Sequence, residues 1–230
     1  MEKQWLINTF TQSWYNRLKH YLETKEFQQL GNQIALERKT KAIYPSSSEV
    51  FRCFSETPFG EVKVVILGLS PYFTKNTADG LAFSSKYSIG LGKRMPPSLV
   101  NIMGAIERDC YKGLLLDKNP DLTRWAKQGV LLLNTALTTV EGESDSHLTL
   151  WKNFTKEVLK ALSEYNTGII YCLWGAKAKE FKKYINPKYN YILECSHPAS
   201  AAYNNCVWEC NHFSEINKIL KQNNNEEIIW

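Results

Sequence analysis

The chain predicts an α/β fold: a single domain in which helices flank a central, mostly parallel sheet of four strands. Two observations point to this architecture. Four short apolar runs lack the alternation of a half-exposed strand, so each is expected to be covered on both faces, as in a parallel sheet. Segments of helical character separate these runs, and this alternation is typical of a doubly wound sheet, whose ligand crevice lies beyond the carboxyl ends of the strands.

The elements follow one another in the order that this architecture requires. The strands are predicted at residues 62–69, 129–137, 167–174 and 191–196. The helices are predicted at residues 97–109, 149–164, 176–184 and 211–222. The first helix begins with prolines, which suit a first helical turn, and the second has an apolar residue at every fourth position. Residues 1–25 are predicted to form an amphipathic helix that packs on the domain formed by residues 26–230.

Composition limits the function classes without choosing among them. The net charge of +5 is compatible with DNA binding. No apolar run is long enough to cross a bilayer, so no membrane partner and a cytoplasmic location are expected, or a nuclear location in a eukaryote. The six cysteines include Cys195, Cys206 and Cys210 close together in sequence, but no C-x-x-C pair is present, and neither a metal nor another cofactor is expected.

Five short motifs lie near the predicted strands and helices. They are G-L-S-P-Y-F at 68–73, G-L-A-F-S at 80–84, P-P-S-L at 96–99, L-L-L-N-T at 131–135 and S-H-P at 196–198. In order and approximate spacing they resemble the motifs of family 1 uracil-DNA glycosylases, and the resemblance covers about residues 25–230. It implies a monofunctional enzyme that flips a pyrimidine nucleotide out of DNA and hydrolyses its N-glycosidic bond, leaving an abasic site.

The resemblance assigns roles around the extruded base. Phe83 provides an aromatic face, and the amide of Asn134, which has both a donor and an acceptor, meets the pairing edge of a pyrimidine. Asn134 favours uracil without excluding cytosine, because the amide can be flipped. His197 donates a hydrogen bond to the O2 oxygen of the departing base, and the backbone N–H groups of Leu69 and Ser70 are further donors there.

Other residues are assigned to the wall of the pocket or to DNA. Tyr72 resembles the family's tyrosine that packs against C5 of the base and rejects thymine. Ala201 occupies the position of the family's wedge leucine but is too short to fill the gap left by a flipped base, so Tyr203 or Trp208 is expected to replace the wedge. The residues assigned to DNA contact are Ser84, Pro97, Ser98, Ser200, Ala201 and Tyr203.

The catalytic loop departs from the family pattern G-Q-D-P-Y-H at two functional positions. Ser70 replaces the aspartate that orients the attacking water and stabilises the cationic sugar, and Phe73 replaces the histidine. A serine hydroxyl can orient water but carries no charge, so Asp79 and Asp145 are candidates for supplying a carboxylate. Residues 86–94 also form a longer loop than is usual in the family, and the wall that faces C5 is a place where base choice can change.

These residues leave three hypotheses open. The first is an active DNA glycosylase with an altered substrate, a modified pyrimidine, that acts in repair or in defence against phages with modified DNA. The second is a slow but conventional uracil-DNA glycosylase of base-excision repair. The third is a catalytically silent DNA-binding or decoy module. DNA is the expected partner, a protein inhibitor of glycosylases is a further candidate, and the protein is expected to be a monomer.

Overall fold

The structure is a computed structural model that describes residues 3–86, 95–114, 117–204 and 206–230. Apart from Lys86, the long loop expected at residues 86–94 lies outside the described residues. In chain order the strands are β1 (Ile43–Tyr44), β2 (Val64–Gly68), β3 (Val130–Asn134), β4 (Thr139–Val140), β5 (Ile170–Trp174) and β6 (Tyr191–Cys195). The helices are α1 (Lys3–Leu22), α2 (Lys25–Glu37), α3 (Arg52–Glu56), α4 (Pro97–Cys110), α5 (Thr123–Ala126), α6 (Leu148–Tyr165), α7 (Ala176–Lys179), α8 (Pro198–Tyr203) and α9 (His212–Gln222).

The predicted α/β architecture is confirmed by a sheet of four parallel strands in the order β3-β2-β5-β6. Every residue of β2, β3 and β5 is buried, which explains why their sequences are continuously apolar, whereas β6 lies at an edge and is partly exposed. β1 and β4 form a separate antiparallel pair. The four-stranded sheet therefore supplies a rigid platform with its carboxyl edge free for a site.

The predicted strand at residues 129–137 is longer than the observed β3. After Asn134 the chain leaves the regular ladder, and the N–H groups of Thr135 and Ala136 donate to the carbonyls of Gly68 and Leu69, at 2.9 and 3.0 Å. The apolar run thus continues into a loop that stays buried beside the predicted catalytic loop. Because a buried strand and a buried loop are both apolar, composition predicts the burial of this run but not the residue at which the strand ends.

The helix predicted at residues 176–184 is confirmed only for its first four residues. The helix α7 ends at Lys179, and a 3₁₀ turn at Lys182–Tyr184 follows it. Phe181 and Ile185 are both buried on either side of this turn, and Pro187 prevents a helix from continuing. Helices α4, α6 and α9 match their predicted positions to within a residue or so, and α8 was not predicted.

The N-terminal segment joins the core of the domain. Within α1, Thr11 has non-helical angles (φ 60°, ψ 159°), and the apolar residues Phe10, Trp14 and Leu18 are almost completely buried. The helix α2 begins where this segment ends, and the hydroxyl of Thr24 caps its start by accepting a hydrogen bond from the N–H of Phe27 at 3.2 Å. No helix of the described residues is long and apolar enough to cross a membrane.

Candidate active site

A cavity of about 160 Å³ opens at the carboxyl ends of the strands, where the fold class predicts the ligand crevice. Among its lining residues are predicted site residues from distant parts of the chain: Leu69, Ser70, Tyr72, Phe73, Phe83, Ser84, Asn134, His197 and Tyr203. Asp145, from the segment before α6, also lines it. Folding therefore brings together side chains that the sequence predicts to act in base recognition and in chemistry.

Asn134 lies at the end of β3, and its side chain fits there because the neighbouring residue of β2, Gly68, has no side chain. It pairs in register with Gly68, and a Cβ atom at Gly68 would lie only 2.3 Å from Oδ1 of Asn134. The amide thus occupies space that only a glycine leaves free. Asn134 is 6% exposed, and no hydrogen bond within the described part of the chain occupies its amide. Because a buried amide without partners is costly, this group is available for a ligand.

Phe83 forms a wall of the cavity in a strained conformation. Its φ of 63° is unusual for an aromatic residue and costs about 1–3 kcal/mol, which the surroundings must offset. The ring packs against Trp174 and His197, with centroid distances of 5.5 and 5.8 Å. The hydroxyl of Tyr72 donates to the carbonyl of Phe83 at 3.0 Å. The strain thus places an aromatic face beside the buried amide, as a flipped base requires.

Tyr72 forms a second wall and is fixed at its hydroxyl. In addition to its bond with Phe83, this oxygen lies 3.0 Å from Oγ of Ser98. Since the Tyr72 proton is used in donation to Phe83, the Ser98 hydroxyl is the donor in this second bond. Burial raises the pKa of Tyr72, so the phenol stays protonated. The ring therefore cannot swing away without breaking two hydrogen bonds.

His197 follows β6 and is held as a neutral donor. The backbone N–H of Ala199 donates to its Nδ1 at 3.1 Å, so Nδ1 is unprotonated and the ring proton lies on Nε2. Burial lowers the pKa of His197, while the nearby carboxylate of Asp145 acts in the opposite direction. Gly175 makes room for the ring, because a Cβ there would lie 2.8 Å from Cβ of His197. Among the residues that the structure describes, none bonds to the Nε2–H group, which is therefore available for a ligand.

Ser70 is paired with a carboxylate from a distant loop. Its hydroxyl donates to Oδ1 of Asp145 at 3.0 Å, and its second contact, with the carbonyl of Pro71, is much longer at 3.5 Å. Both residues line the cavity. A negative charge therefore stands beside the serine that replaces the family's aspartate.

Asp79, the other candidate carboxylate, binds other groups of the protein through both of its oxygens. One of its oxygens accepts from the N–H of Leu81 at 3.0 Å, and the other accepts from the Ser84 hydroxyl at 2.6 Å and pairs with Arg52 at 3.1 Å. It is 2% exposed and does not line the cavity. The expectation that Asp79 supplies the missing charge is therefore wrong, because this carboxylate braces the segment that leads into Phe83.

Comparison with known proteins decides the family. Residues 54–221 match the family model of the uracil DNA glycosylase superfamily. The chain belongs to this superfamily. It is 39% identical over 225 residues to the uracil-DNA glycosylase of Fusobacterium nucleatum subsp. nucleatum, with 97% of each chain covered. It is 41% identical to that of Borrelia turicatae, with 94% of this chain and 96% of the relative covered. A variant of mimivirus UNG in complex with UGI superposes with a TM-score of 0.87 at 28% identity, covering 100% of this chain and 91% of the other.

Membership of the uracil DNA glycosylase superfamily makes this protein a monofunctional DNA N-glycosylase, a hydrolase of N-glycosidic bonds. The relatives bear the name uracil-DNA glycosylase, and none of them supports a modified base or a role in phage defence. The hypothesis of a silent binding module also finds no support among them.

Three predicted DNA contacts of this glycosylase are buried in the free protein, and their contact with DNA stays a prediction. Ser84 is 1% exposed and its hydroxyl bonds to Asp79, and Ser98 is 7% exposed and its hydroxyl bonds to Tyr72. Ala201 is 4% exposed. Because these side chains are used within the fold, a contact with a phosphate at these positions would have to come from the backbone.

The remaining predicted contacts differ in what they offer to DNA. Pro97 is exposed at the start of α4, and Ser200 is half-buried with its hydroxyl donating to the carbonyl of His197 at 2.6 Å. Tyr203 is 86% exposed and lines the cavity. Trp208 is 1% exposed and donates to the carbonyl of Ser196 at 3.0 Å, so its assignment as the wedge is wrong. Of the two proposed replacements for the wedge leucine, only Tyr203 is free to enter DNA.

A cluster of Cys195, Cys210 and His212 adjoins Trp174, with ligand atoms within 4.8 Å of one another. Its chemistry does not suit a metal. The indole Nε1 of Trp174 donates to Nδ1 of His212 at 3.0 Å, so the neutral ring carries its proton on Nε2 and has no free lone pair. Burial raises the pKa of the Cys210 thiol and disfavours the thiolate that a metal needs. Cys206, the third cysteine singled out in the sequence, is exposed and outside this cluster.

Proposed function

We propose that the protein excises uracil from DNA. The observation that carries this proposal is the convergence of three groups on one cavity: the amide of Asn134, which has no hydrogen-bond partner among the described residues, the Nε2–H of His197 and the ring of Phe83. They supply recognition of a pyrimidine edge, a donor for its departing oxygen and a surface on which the base stacks. The uracil-DNA glycosylases that are 39% and 41% identical to this chain support the same base.

The geometry supports the following sequence of events. The target nucleotide leaves the stack and its base enters the cavity against Phe83. The amide of Asn134 accepts from N3–H and donates to O4 of uracil. When the glycosidic bond breaks, the bonding electrons go to the base and charge collects on O2, where His197 donates from Nε2. A donor that is already in place and partly desolvated stabilises this charge without reorganisation, which is how oxyanion sites lower a barrier.

The choice of base is set at Tyr72. Its ring is fixed by bonds to Phe83 and Ser98, so it is expected to block substituents at C5 of the base. This arrangement favours uracil over thymine and over pyrimidines with bulky C5 groups. The expectation of an altered base, drawn from Ser70 and Phe73, therefore has less support than conventional uracil excision. Phe73 is 40% exposed at the rim of the cavity and leaves the C5 wall to Tyr72.

The substrate is tested with labelled oligonucleotides that carry a single uracil, thymine or C5-substituted cytosine. After incubation with the protein, alkali cleaves the strand wherever a base has been released. We expect cleavage at uracil alone. Cleavage only at a C5-substituted cytosine would instead support the altered-substrate hypothesis, and no cleavage at any base would support the silent module.

Tyr203 is proposed as the wedge that fills the gap in the duplex. Tyr203→Ala is expected to slow uracil excision from double-stranded DNA by roughly 5- to 150-fold, because an aromatic ring stacked on a base contributes about 1–3 kcal/mol. Excision from single-stranded DNA, which has no gap to fill, should change much less. Tyr189→Ala removes another exposed tyrosine, 49% exposed, and serves as the matched control. Equal losses on both substrates would contradict a wedge role.

DNA is the proposed partner, bound across the cavity mouth and Tyr203. The mimivirus relative in complex with UGI supports a protein inhibitor as a second partner. The monomeric state and the cytoplasmic location remain predictions.

A further inference from the structure

We propose that Asp145 is the catalytic carboxylate of this enzyme and that it works through Ser70, so that two residues 75 positions apart share the task of the family's single aspartate. This inference rests on the proposed glycosylase function and adds a residue to it. It concerns the attacking water and the sugar, whereas Asn134 and His197 act on the base.

The first support is the direction of the hydrogen bond. Ser70 donates its only hydroxyl proton to Oδ1 of Asp145, at 3.0 Å. The Ser70 oxygen keeps lone pairs that can accept a hydrogen bond from water. Within the described residues no hydrogen bond occupies Oδ2 of Asp145. A water molecule beside this pair can therefore donate one proton to Ser70 and the other to Asp145.

The second support is the location of the pair. Both side chains line the cavity that also holds Asn134 and His197. The carboxylate of Asp145 is close enough to His197 to oppose the effect of burial on its pKa. The charge therefore lies within the same site, where partial burial and low dielectric strengthen its interaction with a developing cation.

The third support is the way in which the backbone holds Asp145. Its φ is 63°, a left-handed conformation that aspartate tolerates better than most residues. The flanking segment is braced, because the hydroxyl of Ser146 accepts from the N–H of Val140 at 2.9 Å and the N–H of Leu148 donates to the carbonyl of Asp145 at 3.2 Å. His147 is buried and bonds to Glu37 of α2 at 3.2 Å. The N-terminal helices thus help to position the loop that carries the carboxylate.

The proposed step balances as follows. The water oxygen forms a bond to C1′ of the sugar as the C1′–N1 bond breaks, and the bonding pair departs with the base. The charge on O2 of the base meets Nε2–H of His197. One proton of the water passes to Asp145, while Ser70 keeps its own proton and orients the water. The carboxylate also stabilises the positive charge that develops on the sugar before the new bond is complete.

Asp145→Asn is the direct test, because asparagine keeps the shape and can still accept the bond from Ser70. Single-turnover excision of uracil is expected to fall roughly 100-fold or more. Glu143→Gln removes an equal charge from an exposed position on the same loop and is the matched control, with an expected change of less than about threefold. DNA affinity measured by fluorescence anisotropy should not fall in either variant, since the loss lies in the chemical step.

Moving the carboxylate from position 145 to position 70 tests whether the lost rate is due to the missing charge or to a disturbed loop. Ser70→Asp in the Asp145→Asn background returns a carboxylate to the site and is expected to restore at least about tenfold of the lost rate. In the parent background the same substitution places two carboxylates side by side, where they disfavour each other's ionisation, and no gain is expected.

These experiments distinguish a failure of the Asp145 proposal from a failure of the proposed glycosylase function. A parent protein that releases no base from any of the oligonucleotides overturns both the function and this inference. An active parent with an equally active Asp145→Asn variant overturns only the inference. A slow Asp145→Asn variant that Ser70→Asp does not improve also overturns it, because the loss then comes from the loop and not from the charge.

Discussion

His197→Ala is expected to slow the release of uracil by about 100- to 1,000-fold, the effect of removing one donor from a preorganised oxyanion site. The reason is the state of the ring. The bond from Ala199 to Nδ1 places the proton on Nε2, and burial lowers the pKa of His197 below its usual value, so the ring is neutral near pH 7. Because the neutral imidazole already carries a proton on Nε2, it can donate to the base without first being protonated.

Single-turnover kinetics on a uracil-containing oligonucleotide measures this effect, with His20→Ala as the control at an exposed histidine. DNA affinity and thermal stability should stay close to those of the parent. Nitrogen NMR of the free protein should show His197 as the neutral Nε2–H form near pH 7, with protonation at a pH below the usual pKa of histidine. Full activity in the alanine variant would show that the leaving-group role is wrong.

Gly68→Ala is expected to slow uracil excision by roughly 100-fold, although position 68 lies in the strand and never touches the base. The added Cβ would lie 2.3 Å from Oδ1 of Asn134 and 3.0 Å from Cβ of Ala82. Because the strand is buried and cannot shift easily, the amide of Asn134 is the group that moves. Two hydrogen bonds to the base are then lost, at about 1.4 kcal/mol each.

The control is Gly60→Ala, since nothing lies within 4 Å of a Cβ atom at that position. A double variant tests the cause. In an Asn134→Ala background the amide is already absent, so Gly68→Ala should cost little more activity, which is the non-additivity of two changes that act on one group. A further large loss in the double variant, or a sharp fall in thermal stability, would place the damage in the strand and contradict the explanation.

The fold of this protein was predictable because its signals are local. The strands β2, β3 and β5 are buried on both faces, and such strands must be apolar along their whole length. The ends of elements were less predictable. The apolar run beyond Asn134 continues as a buried loop that bonds to the catalytic segment, and composition cannot distinguish the two. The helix predicted at residues 176–184 is shorter than expected for a related reason, because Phe181 stays buried in a turn that is not helical.

The sequence by itself determined the family and the parallel sheet, and it predicted the groups that we propose to meet the base, because Phe83, Asn134 and His197 lie in motifs whose residue types carry their chemistry. Only the tertiary structure decided which carboxylate joins the site. Asp79 and Asp145 were equivalent candidates in sequence, and the structure turns the first toward Arg52 and Leu81 and the second toward Ser70.

The tertiary structure also decided which predicted DNA contacts are free. Ser84 and Trp208 lie in loops and Ser98 lies in the first turn of α4, yet packing buries all three and their polar atoms bond within the fold. Tyr203 has a similar residue type and stays exposed. Local sequence sets what a side chain can do, but its partners come from segments tens of residues away, and only the folded chain brings those segments into contact.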